Sequence, residues 1–237
     1  MKPVATRNLH SQVVRELGQL IVSGKLAPGE GLPSEEVLAE QMQVSRTALR
    51  EAMKVLVAKG LIESRQRTGA RVRDVVHWNQ LDADVLAWRC AVMPTESFVD
   101  KLVEMREVIE PAAAAAAARR RTPEQLADLK QAYEAMAASA DLDAWAAADL
   151  AFHETLLRAT NNELIASLFS VIETALGTFF LLSARSAANF KAALPHHQKV
   201  YEAVRSRQPE VARQAMLSMV VLSRNNMRTR ARRTRAA

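Results

Sequence analysis

The chain of 237 residues lacks the features of disulfide-rich and membrane-spanning proteins. Cys90 is its single cysteine, which excludes a disulfide framework and a cluster of thiolate metal ligands. No apolar run is long enough to span a membrane, and the N-terminal residues do not resemble a signal peptide. The sequence therefore predicts a cytoplasmic protein that has no contact with a membrane.

Glycine is scarce as well, and its distribution divides the chain. Six of the seven glycines precede Asp74, and Gly177 alone follows it. The hydrophobic fraction of 49% is typical of folded domains, and the formal net charge of +6 favours a polyanionic partner. After Asp74 the sequence shows alanine-rich helical patterns, with breaks at Pro94, Thr122-Pro123, Asp141, Asn161-Asn162, Pro195 and Pro209.

The segment from Leu32 to Gly69 has the pattern of a winged helix-turn-helix. Ser34 is placed to cap a short helix, and Ser45 to cap a second helix over residues 46–59. Two short strands joined by a turn follow, at residues 61–65 and 70–73. Because this motif inserts its second helix into the major groove, the segment predicts a DNA-binding protein. The alternative is a pair of surface helices with ordinary solvated arginines.

The second helix has an apolar stripe on one face and basic residues on another. Arg46 and Arg50 lie one turn apart near its start, where an arginine fork can bind a guanine edge. The turn between the strands is expected to bring its own arginine to the DNA backbone or minor groove. The predicted DNA contacts are Ser34, Ser45, Arg46, Thr47, Arg50, Arg67 and Gly69.

These patterns predict a mainly α protein with a winged helix-turn-helix followed by an all-α bundle of six or seven helices. The winged domain is expected over residues 1–74 and a linker over 75–79. The bundle is expected over residues 80–230, followed by a basic tail at 231–237. That tail is either a solvated helix end or an accessory DNA contact.

Charged residues lie on the apolar stripes of the predicted bundle. Asp149 and His153 are one helical turn apart on an inward face, and His197 lies on the inward stripe of a later helix. A buried carboxylate is costly unless it is paired, and a divalent ion is one partner. Oxygen and imidazole ligands suit zinc first, with nickel and manganese as alternatives. A plain Asp–His hydrogen bond with an unrelated core histidine is equally compatible with the spacing.

Arg106 is a second charged residue on an inward stripe. Its guanidinium either pairs with Glu110, one turn further along, or binds the carboxylate of an anionic ligand through its fork.

With these residues in view, the chain resembles the GntR family of bacterial transcription regulators, in its FadR-like branch. The N-terminal resemblance rests on Leu32-Pro33-Ser34-Glu35, Val44-Ser45-Arg46-Thr47, Leu49-Arg50-Glu51-Ala52 and Gly60-Leu61-Ile62. The C-terminal resemblance rests on Arg106-x-x-x-Glu110-Pro111, Asp149-x-x-Phe152-His153 and His197. The signature Trp78-Asn79-x-Leu81-Asp82-x-Asp84-Val85-Leu86-x-Trp88 is most similar to galactonate-responsive repressors of sugar-acid catabolism.

The resemblance implies a homodimer that binds a two-fold symmetric operator and is released by a small acidic effector. It implies that residues 80–230 bind the effector and dimerise, with a metal held by one aspartate and three histidines. The expected effector residues are Arg106, Asp149, His153 and His197, the last three also holding the metal. Two positions depart from the family. Met219 stands where the third histidine is expected, and Glu36 where many relatives carry an arginine that approaches DNA.

The sequence thus predicts a transcriptional repressor, not an enzyme. Two alternatives stay open. In one, the second domain is a metal-free dimerisation scaffold. In the other, the aspartate and histidines hold the metal of a hydrolase, although no general base lies near them in the pattern and the winged domain would be unexplained.

Overall fold

The computed structural model describes the backbone of residues 4–65, 69–92, 96–183 and 191–235, which form two compact units, Met1–Pro94 and Thr95–Ala237. Side chains are described for residues 10–64, 69–92, 97–177, 180 and 191–224. No helix in the described parts of the chain is long and apolar enough to cross a membrane.

The first unit has the predicted helix-turn-helix and wing. Its described elements are α1 (Val4–Val22), α2 (Glu35–Gln41), α3 (Arg46–Ala58), β1 (Ile62–Arg65), β2 (Gly69–Val72), a 3-10 turn (Val75–His77) and α4 (Ala83–Val92). The strands pair antiparallel, with Ile62 opposite Val72. Apolar residues from α1, α3 and β1 form the core, among them Leu17, Ile21, Leu49, Leu56, Leu61 and Ile62.

Local chemistry explains where the helices of the motif begin and end. The Ser34 and Ser45 hydroxyls accept hydrogen bonds from the first turns of α2 and α3, as predicted from their N-cap positions. Gly60 follows α3 with φ of +74°, and a Cβ there would lie 2.3 Å from the His77 carbonyl oxygen. Only glycine fits both requirements, so Gly60 fixes the turn from α3 into the wing.

Helix α4 packs on α1 within the first unit, although the sequence predicted that the second domain begins near residue 80. The Trp88 ring lies so close to Gly18 that a Cβ on Gly18 would come within 2.2 Å of it. Lys59, at the end of α3, donates to both oxygens of Asp82 at 2.8 and 2.9 Å and to Asp84 at 2.7 Å. These contacts attach α4 to the rest of the first compact unit, which ends at Pro94. The predicted linker at residues 75–79 stays a prediction.

The second unit is entirely helical over its described residues. Its helices are α5 (Glu96–Arg120), α6 (Pro123–Ala138), α7 (Leu142–Arg158), α8 (Glu163–Ser167), α9 (Phe169–Ser183), α10 (Leu194–Arg205) and α11 (Pro209–Arg235). Thr122, Asp141 and Asn162 cap α6, α7 and α8 at three of the predicted breaks. Five of the seven alanines of α5 are buried, which lets α11 pack closely along it. Helix α7 packs against α5, α6 and α9.

Candidate functional site

The outward face of α3 carries the predicted DNA contacts. Ser45, Arg46, Thr47 and Arg50 are all exposed, and we call them the recognition face. Ser34, at the start of α2, and Gly69, at the start of β2, are exposed as well, while Arg67 lies outside the described residues. The structure therefore leaves the described members of this set accessible to a large polyanion.

Both arginines of the recognition face pair with carboxylates of α2. The Arg46 guanidinium contacts Glu36, and Arg50 Nη2 lies 2.9 Å from Glu35 Oε2. Sequence patterns do not predict these contacts, because the contacts depend on how α2 crosses α3 and not on spacing within one helix.

The second unit brings together Arg106, Glu110, Asp149, His153 and His197, which we call the polar cluster. All five side chains are buried, with residue exposures between 0% and 4%. They come from α5, α7 and α10, whose inward stripes meet in the centre of the bundle. The prediction that Asp149, His153 and His197 lie on inward faces agrees with this placement.

Arg106 pairs with Glu110 in the cluster. Arg106 Nε lies 2.5 Å from Glu110 Oε1, and Nη2 lies 3.5 Å from Glu110 Oε2. Burial raises the pKa of Glu110, but the charges of Arg106 and His153 outweigh burial and lower this pKa to about 2. Glu110 is therefore ionised at neutral pH. The Arg106–Glu110 pair is the first of the two alternatives predicted for Arg106. The second, contact with an effector carboxylate, stays a prediction.

Ligand atoms of Asp149, His153 and His197 converge to within 4.8 Å of one another. His197 Nε2 lies 2.9 Å from Asp149 Oδ1, and His153 Nε2 lies 3.8 Å from Asp149 Oδ2. Donor atoms about 2.0–2.2 Å from a tetrahedral zinc ion are themselves about 3.3–3.6 Å apart. The observed separations bracket that range, so this donor set fits one divalent ion.

The outer side of each imidazole has its own contact. His197 Nδ1 lies 3.0 Å from the Ala193 carbonyl oxygen, which only accepts hydrogen bonds. Nδ1 therefore donates to this carbonyl, and Nε2 faces Asp149 on the other side of the ring. His153 Nδ1 lies 2.7 Å from Glu110 Oε2. A carboxylate or carbonyl behind a histidine is the arrangement that orients metal-binding imidazoles.

Three buried atoms of the cluster have no aligned hydrogen bond among the described residues: Asp149 Oδ2, His153 Nδ1 and His197 Nε2. Burial raises the pKa of Asp149, but contact with His197 and the charge of His153 outweigh burial and lower it, so this carboxyl is ionised. The cluster therefore holds two buried ionised carboxylates, of which Glu110 pairs with Arg106, and a divalent ion is one partner that would stabilise Asp149.

Comparison with known proteins identifies both units. Residues 9–72 match the model described as "Bacterial regulatory proteins, gntR family", and residues 101–221 match the "FCD domain". The chain belongs to the GntR family. It is 33% identical to the galactonate operon transcriptional repressor of Escherichia coli (strain K12), over 94% of this chain and 98% of that protein.

Further matches agree with this family. The chain is 28% identical to the gluconate operon transcriptional repressor of Bacillus licheniformis, over 83% of this chain and 75% of that protein. The solved structure of Lar, described as controlling the expression of the Listeria monocytogenes agr system, has a TM-score of 0.64 to this chain. It shares 23% identity and covers 97% of this chain and 98% of its own, which shows the fold alone.

Membership in the GntR family makes this chain a DNA-binding transcriptional regulator and not an enzyme. The hydrolase alternative is therefore wrong. The predicted fold, a winged helix-turn-helix followed by a helical bundle, is confirmed by both family matches.

Proposed function

We propose that this GntR-family regulator is a homodimeric, cytoplasmic repressor of a sugar-acid catabolic operon, released from its operator by a small carboxylate effector. Two relatives are named for the repression of galactonate and gluconate operons, and both compounds are sugar acids. The observation that carries the effector role is the convergence of Asp149, His153 and His197 in a buried cluster beside Arg106 and Glu110.

We infer that Asp149, His153 and His197 hold one divalent ion, zinc in the first instance and nickel or manganese as alternatives. When bound, the ion would supply Lewis-acid coordination for an effector carboxylate. Glu110 and the Ala193 carbonyl orient the two imidazoles, and the surrounding apolar core excludes water. Met219 is buried in the same apolar cluster as Phe152, and its thioether is a weak ligand for these ions.

Calorimetric titration of the metal-stripped full-length chain with zinc tests this site. We expect one ion per chain, at least about tenfold weaker binding by Asp149→Asn, and tighter binding by Met219→His. His196→Ala is the matched control, because His196 is only half-buried and lies outside the polar cluster. If neither the natural chain nor Met219→His takes up zinc, nickel or manganese, the cluster is purely structural.

Arg106 is proposed as a second effector contact. Glu110 engages its Nε and, at a longer distance, its Nη2, so we assign the contact with the effector carboxylate to Nη1. Arg106→Lys keeps the charge but loses the fork. We expect this variant to bind operator DNA normally and to need at least about tenfold more aldonate for release. A normal aldonate response would leave Arg106 with a structural role.

A second candidate function makes the second unit a dimerisation scaffold without an effector. The Arg106–Glu110 pair favours it, because both charges are already satisfied within the protein. A thermal-shift screen with zinc and a set of aldonates separates the two candidates. Selective stabilisation by one aldonate supports the sensor, whereas no shift with any of them supports the scaffold.

On the DNA side, we propose that Arg46 and Arg50 read guanine edges, while Ser34, Ser45, Thr47, Arg67 and Gly69 contact phosphates or neighbouring bases. Arg46→Ala and Arg50→Ala are each expected to reduce operator preference by about 5- to 100-fold while the second unit stays folded. Lys130→Ala, in an exposed ion pair of α6, is the control. Undiminished specific binding by both arginine variants in a gel-shift titration would overturn the assignment.

A further inference from the structure

The basic residues of α3 are all matched by carboxylates. Arg46 pairs with Glu36, Arg50 with Glu35 at 2.9 Å, and Lys54 with Glu51 at 2.8 Å. The three cations of α3 are therefore matched by three anions, two of them on α2 and one on α3 itself. A surface built only for affinity would carry an excess of positive charge, since phosphate contacts dominate the binding free energy.

Fold stability does not account for this arrangement. The Arg46 and Glu36 side chains are 65% and 68% exposed, and exposed ion pairs contribute about 0–1 kcal/mol. Glu36 also lies in the first turn of α2, where a carboxylate gains little more than about 1 kcal/mol from the helix dipole. The main energetic effect of Glu36 is therefore on the binding of ligand groups by the Arg46 guanidinium.

A carboxylate beside an arginine weakens the binding of that arginine to phosphate more than its binding to guanine. A DNA phosphate is anionic, so Glu36 repels it and competes with it for the guanidinium. The guanine edge offers two neutral acceptors, O6 and N7, which a guanidinium binds through its fork. Arg46 paired with Glu36 therefore gains little from a random phosphate and keeps its gain from a guanine.

We propose that Glu36 is a specificity-determining residue of operator recognition, which restrains Arg46 from general phosphate contacts and so reserves it for a base. This inference rests on the proposed role of Arg46. Glu36 acts through Arg46, so it is a positioning residue. Its removal should increase affinity for unrelated DNA, an effect that a merely structural residue would not have.

The test uses the full-length chain and duplexes selected by it from a random-sequence library. Affinity for the selected duplex and for a scrambled duplex is measured by fluorescence anisotropy across several potassium chloride concentrations. We expect Glu36→Gln to bind the scrambled duplex more tightly, with a log–log salt slope steeper by about 1 for each recognition helix engaged. The ratio of selected to scrambled affinity should fall by about 5- to 100-fold.

Glu51→Gln is the matched control, because it makes the same change in charge within the helix-turn-helix but frees Lys54 instead of Arg46. It should retain the selected motif, whereas Glu36→Gln should select a motif that is relaxed at one position in each half-site. An unchanged motif, affinity ratio and salt slope in Glu36→Gln would overturn the inference.

Arg46→Ala separates this inference from the proposed function on which it depends. If Arg46→Ala selects the natural motif, the proposed role of Arg46 fails and the inference fails with it. If Arg46→Ala loses operator preference while Glu36→Gln behaves like the natural chain, the inference alone fails.

Discussion

Removal of the Arg106 guanidinium should destabilise the second unit strongly. Arg106 is 3% exposed, and Glu110, whose Oε1 lies 2.5 Å from Arg106 Nε, is fully buried. Arg106→Met keeps the aliphatic stem but leaves His153 as the remaining ionic contact of the Glu110 carboxylate among the described side chains. Breaking a buried pair in this way costs about 3–5 kcal/mol, because one charge remains without its partner in the apolar interior.

A double-mutant cycle distinguishes this cost from lost packing. Glu110→Gln removes the stranded charge, so Arg106→Met/Glu110→Gln should be more stable than the sum of the single changes predicts by at least about 2 kcal/mol. Lys130→Met is the control, since Lys130 and Glu134 have the same i,i+4 spacing but are exposed, and it should cost under about 0.5 kcal/mol. Urea unfolding followed by circular dichroism measures all four variants. A cost below about 1 kcal/mol for Arg106→Met, or strict additivity in the double variant, would refute the reasoning.

Three further outcomes follow from the packing and charge of the two units. Gly18→Ala should lower the free energy of unfolding in urea by about 1–3 kcal/mol, because its Cβ would meet the Trp88 ring. Gly177→Ala is the control: a Cβ at Gly177 meets open space, so this change should be neutral or stabilising by up to about 1 kcal/mol. Lys59→Met should destabilise the first unit by about 2 kcal/mol, seen as a lower calorimetric midpoint, since it removes charged hydrogen bonds to two aspartates. The lowered pKa of Glu110 contributes stability that is complete above about pH 4.5 and is lost as the pH falls toward about 2. Glu110→Gln should therefore flatten the acid side of a plot of unfolding free energy against pH. An equally steep plot would contradict this assignment.

The winged domain could be predicted closely because its elements are specified by local chemistry. Ser34 and Ser45 cap the helices that the sequence assigned to them, and Gly60 ends α3. Three of the four strand ends lie one residue away from the predicted bounds, and the fourth coincides with its predicted position. Such positions depend on neighbouring residues in the chain, and a sequence pattern shows them directly.

Contacts between distant elements could not be predicted in the same way. Lys59 appeared only as the last residue of a helix, although it is buried against two aspartates that begin α4. Its position next to Gly60, followed by Asp82 and Asp84, was the one available indication. This contact joins the end of α3 to the start of α4 within the first compact unit.

The polar cluster was predictable in composition but not in connectivity. Helical spacing placed Asp149 and His153 on one inward face and His197 on another, and the structure brings their ligand atoms together. Glu110 was recognised as a partner of Arg106, but its contact with His153 was missed, because it depends on how α5 crosses α7. The fit of the cluster to a metal ion comes from distances that no sequence pattern contains.

The most direct test of the account is the release of operator DNA by a sugar acid through the polar cluster. A fluorescent duplex selected by the protein is bound to the zinc-treated full-length chain, and galactonate and other aldonates are titrated while anisotropy is recorded. The account predicts that one aldonate releases the DNA from the natural chain, with operator affinity falling several-fold to about a hundredfold, and that Asp149→Asn binds the DNA but does not release it. Release of the same extent from Asp149→Asn, or no release by any aldonate from the natural chain, would contradict it.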